Sequence, residues 1–161
     1  MKRMSWTTII ILVLAGLGAA VYAQGLLKPQ DLGTVMSPAE AHAQASAGKI
    51  VLIDVRTPQE WRETGVPASA HAVTMHQDGK AFLEALAKLT GGDRNRPVAI
   101  ICRTGNRTTA LQGQLKQIGF TNILNVAEGV AGGRNGPGWQ RSGLPMRAGA
   151  EANKPPVIAA H

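Results

Sequence analysis

The sequence predicts an α/β fold with a central, mostly parallel β-sheet and helices on both faces. Two continuous apolar runs, residues 50–55 and 97–101, have the length and aliphatic composition of strands that are buried on both faces. Helix start signals lie around these runs, so that strands alternate with helices along the chain. In such a sheet, ligands bind beyond the carboxyl ends of the strands.

Two helix starts carry the same signal. Residues 37–40 (Ser-Pro-Ala-Glu) and 57–60 (Thr-Pro-Gln-Glu) each combine a capping side chain, a proline and a glutamate three positions after the cap. We therefore expect one helix that ends near Gly48 and a shorter one that ends at Gly65.

The other elements follow from periodicity and from glycine or aspartate at their ends. They are a weak strand at 72–74, a helix from the Asp78 cap to Gly91, a helix at 107–118, a strand at 122–126 and a short helix around 130–140. Leu111, Leu115 and Ile118 form the apolar face of the helix at 107–118. Trp61 and Trp139 are expected to cover the edge of the core.

Composition limits the classes of function. The chain has 161 residues, 44% of them hydrophobic, which is typical of a globular protein. A net charge of +7 favours anionic partners, but there is no dense Lys/Arg block interleaved with aromatic residues, so we expect no nucleic-acid binding. The single cysteine, Cys102, excludes an intramolecular disulfide, and any second thiol must come from another molecule.

The first residues resemble an export signal. Lys2 and Arg3 precede an apolar run over residues 6–23 that ends in small residues. Residues 1–23 are therefore predicted to be a signal peptide cleaved after Ala23, or an uncleaved anchor whose membrane contact is limited to residues 6–23. Either alternative places the protein in the periplasm or outside the cell. We divide the remainder into a linker at 24–34, a domain at 35–146 and a flexible tail at 147–161.

The loop after the strand at 97–101 carries the predicted chemistry. It consists of Cys102, Arg103, Thr104, Gly105, Asn106 and Arg107, and a helix follows it. Backbone N–H groups in such a turn and the positive end of the helix dipole converge on one point, which favours an anion. We therefore expect Cys102 to be a nucleophilic thiolate rather than an inert core residue.

Three segments resemble signatures of the rhodanese-like sulfurtransferases. Residues 102–107 resemble the active-site loop of that family, and residues 54–61 (Asp-Val-Arg-Thr-Pro-Gln-Glu-Trp) resemble its upstream D-V-R-x-x-x-E-[FYW] motif. Gly129, Gly132, Trp139, Gly143 and Pro145 resemble its closing pattern. The resemblance covers residues 35–146 and implies a rhodanese-like domain.

The resemblance also implies a reaction. Cys102 would take sulfane sulfur from a donor such as thiosulfate, and the resulting persulfide would pass it to cyanide or a thiol, with no metal or organic cofactor. Arg103 and Arg107 would bind the anionic donor, and residues 104–106 would supply backbone N–H groups. Alternatively, Arg107 would be held structurally by a carboxylate.

Other functions remain open at this point. A persulfide carrier or a protein-binding rhodanese module would need the same loop. A phosphatase or arsenate reductase has five residues between its cysteine and arginine, whereas four separate Cys102 from Arg107. The shorter loop favours sulfur over a phosphate ester.

Several residues have both a functional and a structural interpretation. Asp54 and Arg56 could support the site, but we favour a role in fixing the turn between strand and helix. His71 and His76 could donate a proton, but we favour solvated positions. Residues 65–70 (Gly-Val-Pro-Ala-Ser-Ala) depart from the family pattern G-H-I-x-G-A, so we expect a different local turn there.

Overall fold

The computed structural model describes residues 35–157. The helices are α1 Pro38–Ser46, α2 Pro58–Thr64, α3 Gly79–Thr90, α4 Asn106–Gln117 and α5 Gly138–Arg141, with a 3₁₀ helix at Gly149–Glu151. The strands are β1 Val51–Asp54, β2 Val66–Pro67, β3 Ala70–Ala72, β4 Val98–Ile101, β5 Ile123–Asn125 and β6 Met146–Arg147. The predicted signal or anchor and the predicted linker lie outside the described residues. No helix within residues 35–157 is long and apolar enough to cross a membrane.

The main sheet has four strands in the order β3-β1-β4-β5, and all of its neighbouring pairs are parallel. Alternate residues of each strand contribute to two separate apolar clusters. Leu52 and Ile101 pack in the cluster that includes α1 and α2, whereas Ile53 and Ile100 pack in the cluster that includes α3 and α4. The predicted fold class, a parallel sheet with helices on both faces, is confirmed.

Side-chain caps fix where the first three helices begin. Ser37 and Thr57 both form the predicted capping boxes, with Glu40 and Glu60 respectively. Asp78 accepts a hydrogen bond from the backbone of the first turn of α3, as the sequence predicts. These caps set the direction in which each helix leaves the carboxyl edge of the sheet.

Some elements differ from the sequence prediction. β3 lies at 70–72 instead of 72–74, and α5 is limited to four residues. Trp61 and Trp139 are buried within the core, and the indole Nε1 of Trp139 donates to the carbonyl oxygen of Pro145 at 3.0 Å. Ile118, which the sequence places on the apolar face of this helix, is the C-cap of α4 and is 43% exposed.

Residues 65–70, which depart from the family pattern, contribute a strand to a small second sheet. Val66 and Pro67 form β2, which pairs in antiparallel fashion with β6. Gly65 ends α2 with a φ of 78°, and a Cβ there would lie 2.6 Å from the carbonyl oxygen of Arg147. The substituted segment therefore joins the domain to its last strand.

The prediction of a flexible tail at 147–161 needs correction for residues 147–157, which are the part of the tail that the structure describes. Arg147 donates to the carbonyl oxygens of Ala70 at 2.6 Å and of Lys154 at 2.9 Å, and it also contacts the carbonyl oxygen of Glu151. Residue 157 donates its backbone N–H to the carbonyl oxygen of Ala68 at 3.0 Å. The sequence of the segment gives no sign of this docking, because one arginine and backbone groups hold it.

Replacing Arg147 tests this attachment. Arg147→Ala removes several charge-assisted hydrogen bonds to backbone oxygens, and we expect the free energy of unfolding to fall by about 2 kcal/mol. We also expect faster proteolysis confined to the segment after Pro145. Urea titration and limited proteolysis measure these effects, with the exposed-loop variant Arg96→Ala as the control. A protein as stable and as resistant as the control would contradict the assignment.

Candidate active site

Cys102 follows β4, which is an inner strand of the sheet, and so lies at its carboxyl edge. Its side chain is 0% exposed and belongs to the cluster of α3 and α4. A turn of four residues connects β4 to α4. The structure therefore places the predicted nucleophile where parallel sheets bind ligands.

A second backbone segment, residues 126–131, holds the cysteine loop. Val130 donates its N–H to the carbonyl oxygen of Cys102 at 2.8 Å, and Ala131 donates to that of Arg103 at 2.9 Å. Both carbonyl groups are thereby directed away from the centre of the loop. The loop can then present N–H groups inward, as an anion requires.

Two glycines permit this close approach. Gly105 has a φ of 89°, and a Cβ there would lie 1.9 Å from the carbonyl oxygen of Ala127. Gly129 has a φ of 73°, and a Cβ there would lie 2.4 Å from the carbonyl oxygen of Arg103. The left-handed conformation and the lack of space both require glycine at these positions.

The sulfur atom of Cys102 has two polar neighbours. The N–H of Gly105 donates to Sγ at 3.2 Å, and the hydroxyl oxygen of Thr108 lies 3.6 Å from Sγ. Gly105 is also the N-cap of α4 and provides no side-chain hydrogen bond to the first turn. The first N–H groups of an α-helix have no partner within the helix, and that of Gly105 is the one at the start of α4 that Sγ accepts.

Thr108 is a site residue that sequence reasoning missed. It is fully buried, and its hydroxyl also donates to the carbonyl oxygen of Gly105 at 2.9 Å. The sequence feature that could have identified Thr108 is a threonine in the first turn of the helix that follows the cysteine loop. Its hydroxyl can reach the sulfur because the first turn folds back over Cys102.

Arg107 is bound to Glu60, as one of the two sequence interpretations allowed. Its Nη1 and Nη2 donate to Oε2 and Oε1 of Glu60 at 2.8 and 2.5 Å. Its hydrogen bonds lower the pKa of Glu60 to about 2, against the opposing effect of burial. The same bonds raise the pKa of Arg107. Glu60 therefore has two roles, because it also caps α2.

His76 completes this cluster. Its Nε2 lies 3.2 Å from Nη1 of Arg107, and its side chain is exposed. His71 lies elsewhere, on a groove between β3, α3 and the C-terminal segment. Burial and, secondarily, the charge of Arg147 lower the pKa of His71. Of the two predicted histidines, the structure brings only His76 to the cysteine loop.

The remaining loop residues differ in exposure. Arg103 and Asn106 are exposed, whereas Thr104 is half-buried. Arg103 forms no ion pair within residues 35–157, and its side chain lines a cavity of about 210 Å³ against α2. Arg103 is therefore the loop cation that is available to a ligand.

Asp54 and Arg56 form a buried ion pair, 0% and 1% exposed, with Nη2 of Arg56 at 2.6 Å from Oδ2 of Asp54. Arg56 also donates to Oγ1 of Thr64 and to the carbonyl oxygen of Gly65, both at 2.7 Å. The pair thus ties the end of β1 to the end of α2. This geometry favours the structural interpretation of both residues. Within residues 35–157, no group of three His, Cys, Asp or Glu side chains could hold a metal ion.

Comparison with known proteins agrees with this geometry. Residues 37–135 match the model of the rhodanese-like domain. The chain belongs to the rhodanese-like domain family. Its relatives in that family include sulfurtransferases.

Three relatives illustrate the similarity. A sulfurtransferase of Allochromatium vinosum is 30% identical over 104 residues, which are 65% of this chain and 84% of that protein. The thiosulfate sulfurtransferase GlpE of Pseudomonas savastanoi is 28% identical over 92 residues, which are 57% of this chain and 78% of that protein. The solution structure of the polysulfide-sulfur transferase homodimer of Wolinella succinogenes has a TM-score of 0.55 and 30% identity. That match covers 83% of this chain and 88% of that chain.

The pair between Glu60 and Arg107 predicts a pH dependence of stability. Because the folded-state pKa of Glu60 is about 2, below its ordinary 4.5, the contribution is complete above pH 4.5 and is lost as the pH falls toward 2. Glu60→Gln keeps a capping side chain but loses the charge. We expect it to lower the free energy of unfolding by about 2 kcal/mol at pH 7, with little difference near pH 2.

Urea titrations of wild type and Glu60→Gln across this pH range measure the difference. Glu84→Gln, an exposed carboxylate on α3 at 3.9 Å from Lys80, is the control for the loss of one charge. A difference between wild type and Glu60→Gln that stays constant from pH 7 to pH 2 would show that the ion pair is not its source.

Proposed function

We propose that this protein is a sulfurtransferase that moves sulfane sulfur from thiosulfate, or a similar anionic donor, to an external thiol or cyanide. A persulfide on Cys102 is the proposed intermediate. The observation that carries the proposal is the buried Sγ that accepts the N–H of Gly105 at the uncapped start of α4. The names of the relatives from Allochromatium and Pseudomonas support the reaction class.

The first half-reaction transfers sulfur to the enzyme. The thiolate of Cys102 attacks the outer sulfur of thiosulfate, the sulfur–sulfur bond of the donor breaks, and its electron pair leaves with sulfite. The terminal sulfur of the persulfide then carries the negative charge. Backbone N–H groups of residues 104–107 and the dipole of α4 stabilise that charge.

The second half-reaction regenerates the thiolate. An acceptor thiolate or cyanide attacks the terminal sulfur, and the electron pair of the broken bond returns to Sγ of Cys102. Because Cys102 is the single cysteine of the chain, no internal thiol can resolve the persulfide. The acceptor must enter from outside.

The two loop arginines have different proposed roles. Arg103 binds the anionic part of the donor, since it is exposed and lacks a carboxylate partner within residues 35–157. Arg107 positions the start of α4 through Glu60 and adds positive potential beside Cys102. Asn106 and Thr104 contribute through their backbone N–H groups.

The proposed location is the periplasm or the exterior of the cell. It depends on the basic and apolar pattern of residues 1–23, as a cleaved signal or as an inner-membrane anchor.

The mass of the protein tests the proposed intermediate. After incubation with excess thiosulfate and removal of the donor, intact mass spectrometry should show one added sulfur atom that dithiothreitol removes. Cys102→Ala should gain none, and Thr108→Ser, which keeps a hydroxyl near Sγ, should still load. Continued release of sulfite with cyanide or a thiol would distinguish an enzyme from a persulfide carrier. A wild-type protein that acquires no sulfur would contradict the thiosulfate assignment.

A further inference from the structure

A cavity of about 210 Å³ adjoins the cysteine loop, and its lining contains both acidic and basic side chains. One wall is α2, which contributes Glu60, Glu63 and Thr64. The lining also includes Arg103, which follows Cys102 directly in the chain. The cavity is therefore lined both by the cysteine loop and by α2, the helix whose Glu60 binds Arg107.

Two of the four charged residues that line this cavity are already paired. Glu60 binds Arg107, and Arg56 binds Asp54. Glu63 accepts a hydrogen bond from the neutral amide of Gln59 at 2.8 Å, and no cation pairs with it within residues 35–157. An anion without a cationic partner, Glu63, and a cation without a carboxylate partner, Arg103, thus line the same cavity within residues 35–157, and the cavity has room for several water molecules.

This arrangement matches a small zwitterion. The carboxylate of an amino acid would pair with the planar guanidinium of Arg103, and its ammonium group would pair with Glu63. The cavity is smaller than the roughly 300–1,000 Å³ of sites for drug-sized ligands, so it fits an amino acid better than a larger peptide.

We propose that this cavity binds the sulfur acceptor and that the acceptor is a zwitterionic amino thiol of the size of cysteine. The proposal rests on the sulfurtransferase function described above and specifies its acceptor. Arg103 then serves both half-reactions in turn, first for the anionic donor and then for the carboxylate of the acceptor. This order suits a reaction in which the donor product leaves before the acceptor binds.

The transfer step is balanced without a further reactant. The thiol releases its proton to solvent, and its sulfur attacks the terminal sulfur of the Cys102 persulfide. A new sulfur–sulfur bond forms on the acceptor while the bond to Sγ breaks. Cys102 returns to the thiolate, and the acceptor leaves as its own persulfide.

Three small thiols test this assignment on protein that already carries the persulfide. Cysteine has both charged groups, cysteamine lacks the carboxylate, and 3-mercaptopropionate lacks the ammonium group. The rate of transfer to each thiol is measured over a range of thiol concentrations for wild type, Glu63→Gln and the control Glu84→Gln. Comparing variant with wild type for each thiol removes the intrinsic reactivity of that thiol.

We expect Glu63→Gln to reduce the apparent second-order rate constant about fivefold for cysteine and for cysteamine. The constant for 3-mercaptopropionate should stay the same or rise, and Glu84→Gln should change none of them. Equal effects on all three thiols, or no effect on any, would overturn the acceptor site. Failure of wild type to acquire the persulfide would instead refute the sulfurtransferase function, so the two failures are distinguishable.

Discussion

The position of the Cys102 sulfur depends on the contact between two backbone segments, the loop after β4 and residues 126–131. Two short hydrogen bonds hold the carbonyl groups of Cys102 and Arg103 against this segment. Glycines at 105 and 129 let the segments approach to a distance at which any side chain would collide with a carbonyl oxygen. Because the carbonyl groups are engaged on one side, the N–H of Gly105 can reach Sγ on the other. The loop can then stabilise negative charge without a metal ion, by the same physical means as an oxyanion hole.

Ion pairing separates three arginines that look equivalent in the sequence. Arg56 is fully committed to Asp54 and to the end of α2, and Arg107 is committed to Glu60. Each pair connects α2 to the carboxyl edge of the sheet, one through β1 and the other through α4. Within residues 35–157, Arg103 has no carboxylate partner, and it lines a cavity that adjoins the cysteine loop. Arginines with a structural role and the arginine that we propose to bind a ligand therefore lie close together in the sequence but differ in their pairing.

Much of the fold could be predicted from the sequence, because local signals agree with the tertiary structure. The apolar runs that form β1 and β4, and the capping boxes of α1 and α2, are each determined by residues that are close together in the sequence. The cysteine loop was also identifiable, since a cysteine, an arginine and a glycine between a strand and a helix, with a second arginine in the first turn of that helix, form a local pattern.

Other features depend on contacts between residues that are distant in the sequence, and they could not be predicted from it. The pairing of Glu60 with Arg107 joins positions 47 residues apart, and sequence spacing left it as one alternative. Arg147 reaches the carbonyl oxygen of Ala70, 77 residues away, so the C-terminal segment looked like a tail. The pairing of β2 with β6 and the contact of Thr108 with Sγ likewise appear only when the chain is folded.

The most direct measurement of the central claim is a crystal structure of the protein after treatment with thiosulfate. The account predicts a second sulfur atom bonded to Sγ of Cys102 and lying within hydrogen-bond distance of the N–H groups at the start of α4. A terminal sulfur that points away from those N–H groups, toward apolar side chains of the core, would contradict the claim that these N–H groups stabilise the charge of the persulfide.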